Sequence, residues 1–206
     1  MKRFLRVVLT LAGLCLLYGC GGGGSGSSTP PPLATHFSVV PAQGNETAGT
    51  AFNVTVTALD ASNNVVNSYA GTVRTTSSDT QAVFSPTSST LTNGSGTFSA
   101  TLKTAGPQTI TATDTVNASI SGISISITVS AGAATSLSVG APAAAAAGTS
   151  FNFTVTALDA WSNVATSYSG TVHFTSTDTQ AVLPGNSTLT DGSGAFSATM
   201  KTAGIS

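Results

Sequence analysis

The stretch Phe52-Asn53-Val54-Thr55-Val56-Thr57-Ala58 alternates apolar and polar residues one by one. Because successive side chains of a β-strand point to opposite faces, this period of two predicts a strand with one buried face. Residues 98–103 and 123–129 follow the same alternation. The dipeptides Asn93-Gly94 and Asp191-Gly192 are typical of tight turns between strands. No stretch has helical periodicity, so the pattern predicts an all-β protein.

The chain repeats itself at a spacing of about 99 residues. Residues 48–61 return at 147–160, and the segment Lys103-Thr104-Ala105-Gly106 returns as Lys201-Thr202-Ala203-Gly204. A repeat of this length is a whole domain rather than one unit of a solenoid. We therefore expect two tandem domains, at residues 35–134 and 135–206.

Each copy has the strand content of a small sandwich. In the first copy we predict seven strands, near residues 35–41, 51–60, 71–77, 87–92, 96–104, 108–114 and 121–130. Seven short strands in about 100 residues are typical of an immunoglobulin-like β-sandwich. The predicted fold class is therefore all-β, with tandem immunoglobulin-like sandwiches.

One motif carries a resemblance to a known family. Val-Thr-Ala-Leu-Asp-Ala is followed in the two copies by Tyr69-Ala70-Gly71-Thr72-Val73 and Tyr168-Ser169-Gly170-Thr171-Val172. With this motif the chain resembles the bacterial immunoglobulin-like repeats of large surface proteins, of the invasin and filamin type, over nearly all of residues 35–204. The resemblance implies stalks, spacers and adhesive modules. Tyr69 and Tyr168 are shared between the two copies, and we expect both to be structural and to pack beside the glycine that follows.

The second copy is incomplete at its C-terminus. After Gly204 it has only Ile205-Ser206, so the last two strands of the first copy have no counterpart. Their absence predicts an open sheet edge and an uncovered core face. Three interpretations stay open: a partial sequence, a strand donated by a partner chain, or a poorly folded second domain.

The N-terminus has the features of an export signal. Lys2, Arg3 and Arg6 precede a mostly apolar run at residues 7–18, which is shorter than the ~20 residues of a membrane-spanning helix. Leu17-Tyr18-Gly19-Cys20 then resembles the lipobox of bacterial lipoproteins.

The lipobox resemblance implies a signal peptide at residues 1–19, lipid attachment at Cys20 and a permanent membrane tether. The Gly/Ser/Pro segment at residues 20–34 would then be a linker. The expected location is the bacterial cell envelope, lipid-anchored, at the outer membrane or the cell surface. The alternative is an ordinary signal cut near Gly19, which leaves a free thiol.

The composition after residue 19 narrows the possible partners. After residue 19 the sequence has three basic and seven acidic residues, which gives a net charge of −4. Such a chain has no basic patch for phosphates, so nucleic acid is excluded as an expected partner. With Cys15 removed and Cys20 lipidated, no disulfide is expected.

The candidate chemistry is sparse, and we predict no catalytic residue, no metal site and no cofactor. His36 and His173 have no ligand-like neighbours in sequence. Asp60 with Asn63 and Asn64, and Asp159 with Asn163, could bind calcium between domains or form Asx turns.

Trp161 stands where the first copy has Ser62, in an expected loop. An exposed tryptophan there could contact a ligand such as a glycan, whereas the structural alternative is packing on its own domain.

Two functions follow from these features. The first is a non-catalytic surface lipoprotein whose immunoglobulin-like repeats act as stalk or adhesion modules toward other surface proteins or glycans. The second is a carbohydrate- or cell-wall-binding accessory region of a larger exported enzyme whose catalytic part is absent.

Overall fold

The structure, a computed structural model, describes residues 32–204. The predicted signal peptide, Cys20 and most of the predicted linker lie outside these residues. Residues 32–204 belong to one compact unit. Within them, no helix is long and apolar enough to cross a membrane.

The described part of the chain is built of β-strands. We call residues 32–130 the first module and residues 136–204 the second module. The strands are β1 (His36–Pro41), β2 (Asn45–Thr47), β3 (Ala51–Leu59), β4 (Thr72–Ser77), β5 (Val83–Ser85), β6 (Ser88–Thr90), β7 (Ser95–Thr101), β8 (Gly106–Gln108), β9 (Ile110–Asp114), β10 (Ser121–Ile123), β11 (Ile127–Ser130), β12 (Ser136–Gly140), β13 (Ser150–Leu158), β14 (Thr171–Val172), β15 (Ser187–Thr188) and β16 (Ser193–Thr199).

The first module is a sandwich of sheets. One sheet has the strand order β1-β3-β7-β5, and the second has the order β10-β9-β4-β6. A third, small sheet, β2-β11-β8, includes a parallel pair between β2 and β11. Both four-stranded sheets are antiparallel throughout, as in an immunoglobulin-like sandwich.

The alternation of β3 creates the core of the first module. Val54 and Val56 are fully buried, and Val54 pairs with Phe98 of β7, which is also fully buried. Ile110 and Ala112 of the opposite sheet belong to the same apolar cluster. Burial of one such large side chain stabilises the fold by about 1.5–3 kcal/mol.

The second module repeats the first sheet with the same register. β12 pairs with β13 as β1 pairs with β3, and Phe153 pairs with Phe196 as Val54 pairs with Phe98. Its own core is smaller and includes Phe153, Val155 and Leu189. The predicted fold class is therefore confirmed: the described chain is all-β, with a second sandwich that lacks counterparts of β8–β11 up to residue 204.

The first module has eleven strands where seven were predicted: β2 and β5 were not expected, and Gln108, the start of the strand predicted at 108–114, belongs to β8, which lies in a different sheet from β9. The stretch predicted as one strand at 121–130 forms two, β10 and β11, which lie in different sheets. Between them Ser124 is buried, while Ile123 and Ile125 are exposed, so the apolar residues face outward there. The Ser124 hydroxyl accepts the N–H of Ile110 and donates to the carbonyl of Ile125, and this side chain replaces part of the ladder.

Candidate functional site: the junction between the modules

A loop at residues 159–163, which we call the junction loop, projects from the end of β13. Asp159 Oδ1 accepts the N–H groups of Trp161 at 2.8 Å and Asn163 at 2.9 Å. Ser162 takes a left-handed conformation with φ of 66°. These bonds form an Asx turn, in which a short carboxylate side chain replaces backbone partners.

The equivalent loop at residues 60–64, which we call the proximal loop, has the same geometry. Asp60 Oδ1 accepts the N–H groups of Ser62 at 2.8 Å and Asn64 at 2.9 Å. Asn63 has a φ of 64°. The hydrogen bonds show that both acidic loops form Asx turns. Among residues 32–204, no three His, Cys, Asp or Glu side chains cluster as metal ligands would.

Trp161 lies against the first module, although it belongs to the second. Its half-buried indole packs on the core cluster of the first module. A Cβ added to Gly49 would lie 2.5 Å from Trp161 Nε1, so only glycine leaves room for the ring. Lys103 Nζ lies 4.3 Å from the ring centroid, a cation–π distance. The indole therefore packs on the preceding module, which neither sequence-based interpretation considered.

Asn163 joins the two modules by hydrogen bonds to backbone. Its Nδ2 donates to the carbonyl of Lys103 at 2.7 Å, and its Oδ1 accepts the N–H of Ala105 at 2.8 Å. The N–H of Gly132, in the segment between β11 and β12, donates to Asp159 Oδ2 at 2.9 Å. The Asn163 side chain thus pairs with one donor and one acceptor of the first module. Both hydrogen bonds form together only when the two modules have one particular relative orientation.

The electrostatics of the junction loop favour an ionised Asp159. Burial alone would raise the pKa of this carboxyl group. Hydrogen bonds from the Asn163 side chain and from the backbone of Gly132, Asn163 and Trp161 outweigh burial and lower the pKa below 3.8. Asp159 therefore holds the loop as a carboxylate at neutral pH.

The surface that receives the junction loop is itself held by a carboxylate. Asp79 Oδ2 accepts the N–H groups of Lys103 at 2.6 Å and Thr104 at 3.0 Å, and Asp79 Oδ1 accepts the Thr104 hydroxyl at 2.7 Å. Burial opposes this charge, but the hydrogen bonds lower the pKa of Asp79. The turn at residues 103–106 is therefore held by hydrogen bonds within the first module and does not depend on the junction loop for them. We call Gly49, Lys103 and Ala105 the first socket.

The other residues singled out in the sequence lie elsewhere. His36 Nε2 lies 3.0 Å from Asn63 Oδ1, and His173 Nδ1 lies 2.7 Å from Asn186 Oδ1. Tyr69 packs beside Gly71, as predicted, and its hydroxyl donates to Asp114 Oδ2. Burial, together with this carboxylate, raises the pKa of Tyr69.

Sequence analysis missed Gly49, Lys103 and Ala105 as members of the junction, and it considered Asn163 only as a calcium ligand between domains or as part of an Asx turn. One signal could have pointed to them: Trp161 is a large apolar residue in a loop whose other copy carries Ser62. In a loop whose Asx geometry is unchanged, a side chain of that size needs a surface to cover it, and here the first module provides that surface.

Comparison with known proteins gives neighbours in structure only. No protein-family model and no curated protein matches the sequence. The solved structures similar to the chain include FdeC, an Escherichia coli adhesin, with 19% identity and a TM-score of 0.46 over 84% of this chain and 57% of that one. The Yersinia pseudotuberculosis adhesin InvE has 19% identity and a TM-score of 0.45, over 87% and 54% of the two chains.

The surface layer protein SbsC, domains 4–9, has 16% identity and a TM-score of 0.36, over 82% of this chain and 27% of that one. The chain thus spans little more than half the length of the two adhesin structures. Likenesses of this size assign neither an activity nor a partner.

Proposed function

We propose that the chain is a non-catalytic surface lipoprotein, anchored at Cys20, whose immunoglobulin-like modules act as a stalk or adhesion unit of the bacterial cell envelope. The observation that carries the proposal is the junction, where Trp161 and Asn163 of the second module contact Gly49, Lys103 and Ala105 of the first. A spacer needs modules of fixed relative orientation, and these contacts supply it.

The composition of the junction suits a mechanical role. The interlocking groups are backbone amides and carbonyls, one amide side chain, one indole and one ammonium group. Such groups orient two rigid bodies, whereas nucleophilic catalysis such as acyl transfer needs a nucleophile, a base and an oxyanion donor that converge on a substrate. The linker at residues 20–34 would hold the modules away from the lipid surface.

Anchoring is tested by lipid labelling. Cells that express the chain are grown with a radiolabelled or alkyne-tagged fatty acid, and the Cys20→Ser variant is compared with the native chain. We expect label on the native chain and none on the variant. Equal labelling of both chains would remove the lipoprotein part of the proposal and leave the stalk part standing.

Stiffness is tested by the distance between two spin labels, one on each module. Val116 and Gly185 are exposed and suit Val116→Cys and Gly185→Cys in a Cys15→Ser/Cys20→Ser background. We expect a narrow distance distribution, which Trp161→Ala broadens and Ser62→Ala leaves unchanged. A distribution that is already broad with Trp161 present would contradict a stalk.

Glycan contact at Trp161 stays a prediction from the sequence. A sugar-array measurement with the native chain and with Trp161→Ala tests it. Binding that depends on Trp161 would favour the accessory-region alternative over a passive spacer.

A further inference from the structure

The turn that receives the junction loop occurs a second time, at the far end of the second module. Asp178 Oδ2 accepts the N–H groups of Lys201 at 2.7 Å and Thr202 at 2.9 Å, and Asp178 Oδ1 accepts the Thr202 hydroxyl at 2.9 Å. These are the bonds that Asp79 makes to the turn at residues 103–106. The turn at 201–204 therefore has the same carboxylate hydrogen bonds as the occupied one, although Gly106 takes a φ of 115° and its counterpart Gly204 is not left-handed.

The glycine that admits the indole is repeated as well. Gly148 has a φ of 81°, the value found at Gly49. Its N–H donates to the carbonyl of Met200 at 2.7 Å, as the N–H of Gly49 donates to the carbonyl of Leu102 at 2.8 Å. We call Gly148, Lys201 and Ala203 the distal socket, since they are the counterparts of the three residues of the first socket.

The distal socket is formed but open among the described residues. A Cβ added to Gly148 would meet no atom within 4 Å, whereas at Gly49 it would collide with Trp161. Lys201 and Ala203 are exposed, whereas Lys103 and Ala105 are half-buried under the junction loop. The contact surface is thus present twice in the chain and covered once.

We propose that the distal socket is a docking site for another immunoglobulin-like module that carries an Asp-x-Trp-x-Asn loop. The indole of that loop would lie over Gly148 beneath the Lys201 ammonium group. The loop asparagine would donate to the carbonyl of Lys201 and accept the N–H of Ala203. Every one of these contacts has its counterpart in the first socket. The inference rests on the junction geometry and is independent of lipid attachment at Cys20.

The two loops of this chain are not themselves the expected occupant. The junction loop is already held by its own first module. The proximal loop has the same Asx turn but carries Ser62 where the indole belongs. A second copy of the native chain therefore lacks the group that fills the space above Gly148, whereas a Ser62→Trp copy has it.

The absence of an indole from the proximal loop allows the distal socket to be tested with a Ser62→Trp variant. The proximal loop with Ser62→Trp becomes Asp-Ala-Trp-Asn-Asn, and Ser62 is exposed, so the substitution displaces no packed atom. We expect the Ser62→Trp chain to associate head to tail. In ¹⁵N spectra the amide signals of Gly148, Lys201 and Ala203 should move with protein concentration up to about 1 mM, where a site with a Kd of about 1 mM is roughly 40% filled.

The matched control is Gly148→Asn in the Ser62→Trp chain. Asparagine tolerates a left-handed φ, and its side chain enters space that no atom of the module occupies, so the fold is retained while the seat of the indole is filled. An unchanged circular dichroism spectrum verifies the fold. We expect this variant to abolish the concentration-dependent shifts.

Three results would overturn the assignment. The first is an absence of shifts at Gly148, Lys201 and Ala203 up to the highest concentration. The second is association that survives Gly148→Asn, which would place the contact elsewhere, for example at an open strand edge. The third is the same set of shifts in the native chain, because the loop would then dock without an indole.

Discussion

The first strand of each module has the same pairing, yet the two strands have different surroundings. β1 and β12 each run antiparallel to the long strand that follows, in the same register. Phe37 and Val39 of β1 are 3% and 6% exposed, whereas Leu137 and Val139 of β12 are 47% and 64% exposed. The alternation of residues forms the strand in both modules, but only the first has a second layer, with β9 and β10 beside β1, to cover its apolar face.

Strand pairing and core burial both contribute to the stability of a β-sandwich, and the two modules resemble each other in the first but differ in the second. Strand pairing requires a neighbouring strand with which to exchange hydrogen bonds. Both modules have that strand, β3 for β1 and β13 for β12. Core burial requires the facing sheet as well, and the described part of the second module has only the β14-β15 pair in that layer. The second module should therefore gain less from each large apolar side chain than the first module does.

The largest expected difference is at the two central phenylalanines. Phe98 is fully buried, and its counterpart Phe196 is half-buried against Phe153 and Phe174. We expect Phe98→Ala to lower the free energy of unfolding of its module by about 4 kcal/mol, and Phe196→Ala to lower it by about 2 kcal/mol. Amide hydrogen exchange in β7 and β16 measures the two modules separately. Equal losses would mean that the missing layer is irrelevant to the second core.

The next effect concerns the loops. Trp161→Ala removes a half-buried indole and the contact with Lys103, and we expect a loss of about 2 kcal/mol in the stability of the second module. Ser62→Ala, the equivalent change in the proximal loop, should stay within about 0.5 kcal/mol, because Ser62 is exposed. Urea denaturation, followed by circular dichroism, checks both variants. A neutral Trp161→Ala would show that the junction adds orientation without stability.

A smaller effect separates the two tyrosines. The Tyr69 hydroxyl donates to Asp114, a residue of β9 for which the described part of the second module has no counterpart. We expect Tyr69→Phe to lower the free energy of unfolding by about 1.5 kcal/mol, because it removes a hydrogen bond to a charged group. Tyr168→Phe should be neutral within about 0.5 kcal/mol. Equal losses from both variants in thermal unfolding would contradict the assigned role of Asp114.

The smallest expected effect is the loss of stability at low pH that follows protonation of Asp178. Backbone N–H groups of Thr202 and Lys201 lower the pKa of Asp178 from 3.8 to about 2. Since this carboxyl group binds a proton more weakly in the folded turn than in the unfolded chain, its stabilising effect is complete above pH 3.8 and is lost as the pH falls through about 2. A nuclear magnetic resonance titration of Asp178 should give that midpoint.

A matched variant isolates the cause of the acid effect. Thr202→Val removes one of the hydrogen bonds to Asp178 and should move the midpoint upward. An unshifted midpoint in this variant would show that the hydroxyl does not stabilise the carboxylate. A midpoint near 3.8 in the native chain would show that the turn at 201–204 is not formed, and with it the distal socket.

Much of the fold was accessible from the sequence because it depends on local patterns. The alternation in residues 52–58, the turn dipeptides and the Asx loops are local, and all of them predict the backbone correctly. The stretch at 121–130 was wrong as a single strand, because the Ser124 hydroxyl bonds to the backbone of β9 and of its own neighbour. Sequence periodicity carries no information about such a bond.

The sequence by itself determined the all-β class, the tandem repeat and the loop that carries Trp161, because period-two alternation and turn chemistry act between neighbouring residues. Only the tertiary structure decided that Trp161 packs on the preceding module over Gly49, and that the equivalent space above Gly148 is empty among residues 32–204. Trp161 and Asn163 lie more than 50 residues along the chain from the residues that they contact in the first module. Their meeting depends on how two folded sheets dock, a consequence of packing that no local pattern encodes.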